Sequence, residues 1–480
     1  MRDMPHLRVL AAGSNAHGQL ANETVDDSHV FRPCVFASDH AVTPEQHLRG
    51  DRVLSIVCGA NHTLLLVEVA HPSEQSHQPV RQLWGCGDGL KGQLGPSYLR
   101  GVSQSCSSSV FCRLDQTVLD ATGIDGDKYM IHGIAAAWES TFVVLRPKHE
   151  IRPRSKDIVI AMGNNDYGDL GTGLSPTQLR YSHKPRRVAL EEVLGTAYPK
   201  DFTGFCINSI VAGLHHVIAI LQLFLQNGEE EEIVIGWGAS RHEQLGSFLS
   251  QAHSKLDSDQ STVTRLSPFT SCPRILSQRT SGHDTADSIV TCALGSHHSV
   301  FLHHSGRITG LGSNKKGQLA GLRDAPRTVR DVRCTWNGTY LILGCANEQP
   351  GQDHLQWEIQ ATGAGDKGQL GVSSSTPGLR TIQFSFEPNA RRLVDMACGS
   401  EHVVVLLSRV DKETSSMVEE QEVLAWGWNE HGNLGLGHTT DAHLPVVIWP
   451  APETEHTGAR VQSIWAGCGT SWIVETIVTA

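Results

Sequence analysis

Two short motifs alternate along this chain, seven copies of each, and that alternation constrains its fold more than any other feature. The first motif is a glycine, four residues, usually a second glycine, then a polar residue and a leucine. Its copies are GSNAHGQL (13–20), GDGLKGQLG (87–95), GNNDYGDLG (163–171), GASRHEQLG (238–246), GSNKKGQLA (312–320), GAGDKGQLG (363–371) and GWNEHGNLG (427–435). Each follows a short apolar run able to form a strand, such as RQLWGC or EEIVIGW. The second motif is an apolar strand, a small residue, two variable residues, then His or Ser/Thr/Gly and another apolar strand. Its copies are RVLSIVCGANHTLLL (52–66), IAAAWESTFVVL (134–145), IVAGLHHVIAIL (210–221), VTCALGSHHSVFL (290–302), VRCTWNGTYLIL (332–343), MACGSEHVVVLL (396–407) and SIWAGCGTSWIV (463–474).

Second-motif strands run through polar connections, two of them marked by NG or SG, into the next first-motif strand, which is the pattern of a β-hairpin. Six hairpins form this way. The unpaired strand at the start (Leu7 to Ala12) and the one at the end (Ser471 to Val478) complete a seventh, which brings the termini together and removes the sheet edges of an open array. The predicted fold is all-β, a seven-bladed β-propeller spanning residues 1–480 as one domain, closed by its N- and C-terminal strands. The glycines that open the first motif lie 74, 76, 75, 74, 51 and 64 residues apart, so the first four intervals carry long loop insertions. The stretch 247–287, Ser-rich and without periodicity, reads as a flexible insertion.

GDGLKGQLG and GAGDKGQLG both contain G-x-G-x-x-G, the glycine fingerprint of dinucleotide-binding folds. That fingerprint needs a helix to begin at its end, and the Gly-, Pro- and Ser-rich residues after Gly95 do not open one. Five equivalent copies lack the middle glycine. Gly13, Gly87, Gly163, Gly238, Gly312, Gly363 and Gly427 therefore read as structural turn glycines. His62, His216, His298 and His402 recur at one position of the second motif, where other copies have Ser140, Gly338 and Thr470. Recurrence at a repeat position favours a shared structural hydrogen bond over metal or acid/base work.

Composition narrows the function classes. Fifty Asp and Glu stand against 39 Lys and Arg, and no cluster of five basic residues occurs, which argues against direct nucleic-acid binding. Twelve cysteines are spread singly without a CxxC pair, and they read as reduced thiols with no metal site. There is no G-x-S-x-G, HExxH or P-loop, so no catalytic residue and no cofactor is assigned. No run approaches transmembrane length and no signal peptide is evident, which predicts a protein of the cytoplasm and nucleus without membrane contact.

The pairing of the CGANHT-type and GDGLKGQLG-type motifs resembles the repeats of the regulator of chromosome condensation family over residues 7–478. Within it, the opening GSNAHGQL and the acidic balance most resemble the fungal alpha-tubulin suppressor proteins. That resemblance implies a non-catalytic adaptor, a monomer that pairs with a small zinc- or iron-binding protein and serves Elongator-dependent tRNA modification and diphthamide synthesis. Guanine-nucleotide exchange on a Ran-like small GTPase is the alternative the broader family implies.

The tryptophans supply the candidate surface. Trp84, Trp237 and Trp426 lie in first-motif strands and read as packing between blades. Trp138 and Trp336 instead occupy the first variable position of the second motif, where other copies have Ala60, Leu214, Ser296, Ser400 and Cys468. Trp138, Glu139, Trp336 and Asn337 are thus candidates for a partner-binding patch, with packing against a neighbouring insertion as the alternative. Trp428 and Glu430, in the turn GWNEHG, are candidates of the same kind.

Overall fold

A computed structural model describes residues 6–37, 48–49, 52–69, 80–96, 108–149, 155–199, 202–246, 268–280, 287–344, 357–372, 378–386, 391–410, 417–450 and 459–477. Seven antiparallel sheets surround one axis, forming a seven-bladed propeller. The innermost strands are Arg52–Cys58, Tyr129–Ala136, Phe202–Ala212, Ile289–Leu294, Val329–Cys334, Arg391–Cys398 and Arg460–Ala466, which define blades 1 to 7. Each touches the next around a closed ring.

Every second motif supplies the inner two strands of a blade and every first motif the third. The second strands are shielded on both sides. In His62–Val69 and Ser140–Pro147 the first six residues are buried, and these strands therefore read as unbroken apolar runs such as LLLV and FVVL. Outer strands face water: Tyr181–Arg187 exposes Tyr181, Lys184, Arg186 and Arg187. Seven apolar clusters fill the seven junctions between blades. The largest joins Phe142 and Val159 of blade 2 to Phe205 and Trp237 of blade 3. Stability thus resides between blades as much as within them.

The ring closes where the repeats predict. His6–Gly13 pairs antiparallel with Thr470–Ile477, in register from Leu7 opposite Thr476 to Gly13 opposite Thr470. Blade 7 takes its inner two strands from the C-terminal part of the chain and its outer two, His6–Gly13 and Ser28–Pro33, from the N-terminal part. Buried Glu475 fastens the seam, accepting from Arg8 Nε at 2.7 Å and from Trp449 Nε1 of blade 6 at 2.6 Å.

Three features depart from the sequence reading. The repeating unit is larger than a hairpin, because a polar outer strand follows the first motif in all blades but blade 4 among the described residues. Blade 4 has three strands, and a short 3-10 turn at Leu322–Asp324 packs Leu322 into its outer core. The 51-residue interval from Gly312 is the shortest. The stretch 247–287 is not uniformly an insertion: Phe269–Thr280 is the outer strand of blade 3, paired with Glu230–Ala239, whereas 247–267 and 281–286 lie outside the described residues. Lastly, two intervals contain eight-residue helices, Asp115–Thr122 and Leu190–Ala197, which bury Val118 and Leu194.

Candidate functional site

Register gathers the turns of both motifs at one face. His62, Ser140, His216, His298, Gly338, His402 and Thr470 lie opposite Gly87, Gly163, Gly238, Gly312, Gly363, Gly427 and Gly13. Fourteen turns therefore share one end of the ring. Gly87 shows why glycine opens the first motif: its φ is 95°, and a Cβ there would lie 2.3 Å from the Asn61 carbonyl. The polar residue of the motif closes the turn. Gln93 Oε1 accepts the Lys91 N–H at 2.9 Å, and Gln19, Asp169, Gln244, Gln318 and Gln369 do the same in their own copies. The glycine fingerprints are spent on this closed turn.

The recurring histidines link blades. Nε2 of His62 lies 3.1 Å from Thr141 Oγ1 of the next blade, and His216, His298 and His402 reach Ser299, Thr339 and Ser471 at 3.1, 3.1 and 3.0 Å. The hydroxyls of Thr141, Ser299 and Thr339 donate onward to the carbonyls of Gln93, Gln244 and Gln318, so each must accept from the histidine, which fixes the Nε2–H tautomer. Burial lowers the pKa of His62 and His216 to about 3 and of His298 and His402 to about 4, and the rings are neutral. A glycine three residues earlier makes room: a Cβ on Gly59 would meet His62 Cε1 at 2.1 Å. In two of the three copies without His the glycine is released, Ala137 with Ser140 and Thr335 with Gly338, whereas the third keeps Gly467 before Thr470.

Those two released turns carry Trp138 and Trp336. They belong to blades 2 and 5, which are not neighbours, yet their rings meet at a centroid distance of 5.8 Å. The pair spans the mouth of a central cavity of about 230 Å³, which Cys58, Cys334, Cys398 and Cys468 help to line. Burial pushes the last of these thiols, and that of Cys334, up to about 12, so they are neither thiolates nor nucleophiles. Both tryptophans are only partly buried. Backbone hydrogen bonds hold their turns: the Trp138 N–H donates to Leu214 O and the Trp336 N–H to Ser400 O. The sequence reading grouped these residues but gave no sign that they touch.

The other candidates have local partners. Glu139 accepts from Asn164 Nδ2 at 2.7 Å, and Asn337 Nδ2 donates to Glu401. Trp428 forms a separate cluster on blade 6: its Nε1 donates to Glu430 at 3.2 Å, and its ring meets His431 edge-on at 5.2 Å. Trp84, Trp237 and Trp426 lie buried in junction cores. Unforeseen was a cluster beside Trp138, in which His215 packs at a tilt against Tyr167 at 4.4 Å and His242 meets His297 edge-on at 4.4 Å. Its residues fall at variable turn positions, where a repeat pattern carries no signal. Among the described residues no group of three or more His, Cys, Asp or Glu could hold a metal ion, and no helix is long and apolar enough to cross a membrane.

The family model for the regulator of chromosome condensation (RCC1) repeat matches residues 8–66 and 420–474, the two ends that meet at the seam. The chain is a seven-bladed propeller that matches the RCC1 repeat at these two ends. Its fold is similar to that of Prp20p from Saccharomyces cerevisiae, with a TM-score of 0.62 and 16% identity over 100% of this chain and 93% of that one. The ultraviolet-B receptor UVR8 of Arabidopsis thaliana is 24% identical over 97% of this chain and 83% of its own length. The secretion-regulating guanine nucleotide exchange factor of Mus musculus is 22% identical, with 97% and 83% covered. An RCC1 repeat-containing protein of Schizosaccharomyces pombe is 23% identical over 97% of this chain and 98% of its own length. The propeller is the scaffold, and function has to be argued from the surface the scaffold presents.

Proposed function

We propose that this propeller is a non-catalytic interaction scaffold that binds a protein partner across the face bearing Trp138 and Trp336. The observation that carries this is the pairing of two partly exposed indoles at the central cavity, at turn positions where the other copies have smaller side chains. Large aromatic surface held rigidly at the centre of a face is what binding hot spots are made of. The repeat architecture needs neither tryptophan, since five copies close the same turn without one.

Two partner classes follow. As an adaptor of the alpha-tubulin suppressor type, the scaffold holds a small zinc- or iron-binding protein that serves Elongator and diphthamide synthesis. The support for this is the resemblance of its opening repeats. As an exchange factor, it binds a small GTPase and favours its empty form, which requires differential affinity and no covalent chemistry. The support for this is the name of the Mus musculus relative. One experiment separates them: affinity capture of the intact protein from its own cells beside a Trp138→Ala/Trp336→Ala variant. A metal-binding protein with Elongator subunits, lost in the variant, supports the adaptor; a nucleotide-free GTPase supports exchange. Equal recovery of every partner by the variant overturns the placement of the site.

A further inference from the structure

Around the tryptophan pair the face is not electrostatically uniform. Blades 3 and 4 bring together His215, Arg241 and His242 from one side and His297 and Lys315 from the other, with Lys316 next in the chain and on the side of Glu401. Arg241, Lys315 and Lys316 are exposed. None of Arg241, His242, His297, Lys315 and Lys316 has a carboxylate within ion-pairing distance among the described residues. Elsewhere on this face some cations are matched, as His431 with Asp27 at 2.7 Å and Arg180 with Asp166 at 3.7 Å, whereas Lys91 and Lys367 stand singly, each in its own blade. The chain as a whole carries a net charge of −11, so an unmatched cationic sector is a local exception to its composition.

The carboxylates near this sector are few. Asp169 is buried and engaged, by His215 Nδ1 at 3.3 Å and the Tyr167 N–H at 2.9 Å. Glu401, beside Lys316, accepts from Asn337 and Gln369. Glu243, adjoining His242, is exposed and stands where six other copies have glycine. Trp138 lies 6.4 Å from His215, so the sector is continuous with the aromatic pair.

We infer that this sector receives an acidic segment of a protein partner, with carboxylates over Arg241, Lys315 and Lys316 and an apolar side chain on Trp138 and Trp336. The inference rests on the scaffold reading and names the chemistry of its partner. Nucleic acid fits less well, because a phosphate backbone is tracked by a stripe of fixed cations, and this sector contains three. Desolvation, then neighbouring positive charge, lowers the pKa of His242 and His297, for His242 through Lys315 and Arg241, and for His297 through His242, His215 and Lys315. An arriving carboxylate reverses that repulsion and favours their protonated forms. Binding then takes up protons and strengthens as pH falls.

The test uses the full chain and a fluorescent decapeptide of alternating Asp and Glu ending in Trp, titrated at about pH 6 and about pH 8. Expected are binding at least about tenfold tighter at the lower pH, a loss of about tenfold in an Arg241→Ala/Lys315→Ala/Lys316→Ala variant, and weakening by added salt. Lys91→Ala/Lys367→Ala, on the same face in blades 1 and 5, serves as the control and changes affinity by less than about twofold. An unchanged triple variant, or affinity independent of pH, overturns the inference. Tighter binding of an oligonucleotide of equal charge also overturns it, in favour of nucleic acid. If the peptide fails to bind while partner capture from cells still depends on Trp138 and Trp336, the acidic-segment inference falls and the scaffold reading stands.

Discussion

Two kinds of junction account for six of the seven between blades; at the seventh, between blades 7 and 1, Thr470 replaces histidine and Thr63 donates to Gln19 O. Between blades 1 and 2, 3 and 4, 4 and 5, and 6 and 7, a buried histidine reaches a Thr or Ser hydroxyl of the next blade. Between blades 2 and 3 and between 5 and 6 there is no histidine, and the position opposite is Val217 or Val403. In these, Trp237 Nε1 donates to Asp169 O at 2.8 Å and Trp426 Nε1 to Gln369 O at 3.0 Å. Those are the turn carbonyls that a hydroxyl satisfies elsewhere, as Thr141 does for Gln93. A buried carbonyl must find a donor, and either residue set supplies one. The difference is sensitivity to acid: an indole does not titrate, whereas a histidine does. Of the three turns without histidine, those in blades 2 and 5 carry the partly buried Trp138 and Trp336.

Acid should separate the junction types most widely. The four histidines have folded-state pKa values of about 3 to 4, below the roughly 6.5 of an unfolded chain, so the unfolded state binds more protons as pH falls below that value. Stability is full above pH about 6.5 and drains toward the folded values, at about 2 kcal/mol per histidine by pH 5, or roughly 8 kcal/mol for four. Denaturant melts at successive pH values check this, and a flat profile between pH 7 and 5 would show that the staples do not exist. Next comes Trp237→Ala, which removes a tryptophan junction and should cost about 3 to 5 kcal/mol at neutral pH without altering the acid slope.

Gly59→Ala sharpens the histidine side. The new methyl meets the His62 ring, at a cost of about 2 to 3 kcal/mol. Adding His62→Ser, which copies the natural pairing of Ala137 with Ser140, should recover part of that loss, and a double-mutant cycle with no coupling would refute the steric account. Glu243 holds a φ of 64° where glycine is usual, so Glu243→Gly should stabilise by about 1 kcal/mol in thermal melts. The smallest change in stability, under about 1 kcal/mol, is expected for Trp138→Ala, since its indole lies outside the junction cores. A larger loss would make the indole pair a structural plug rather than a binding surface.

Much of this was legible because repetition makes local choices visible. Seven aligned copies expose the glycine that Gly87 needs for its left-handed turn, and the count of strands with one left over at each end gives closure. Even the junction chemistry is written there: His62 is followed one copy later by Thr141, whereas Ser140 is followed by Val217. It escapes notice because the matched residues belong to successive copies, 79 positions apart in the first case. The outer strands were missed because strands open to water on one side, like Tyr181–Arg187, lack the apolar runs that mark the inner ones. Phe269–Thr280 was hidden for that reason within a Ser-rich stretch.

Taken alone, the sequence determined the number of blades, the place of the seam and the residues that turn each corner, since these depend on local patterns repeated in register. Which residues meet over the axis was decided only by the tertiary structure. Trp138 and Trp336 touch because a closed seven-fold ring points non-adjacent blades at one channel mouth, and His242 meets His297 because neighbouring blades splay their turns together. Contacts of that kind depend on the radius and curvature of the whole ring, which no single repeat encodes.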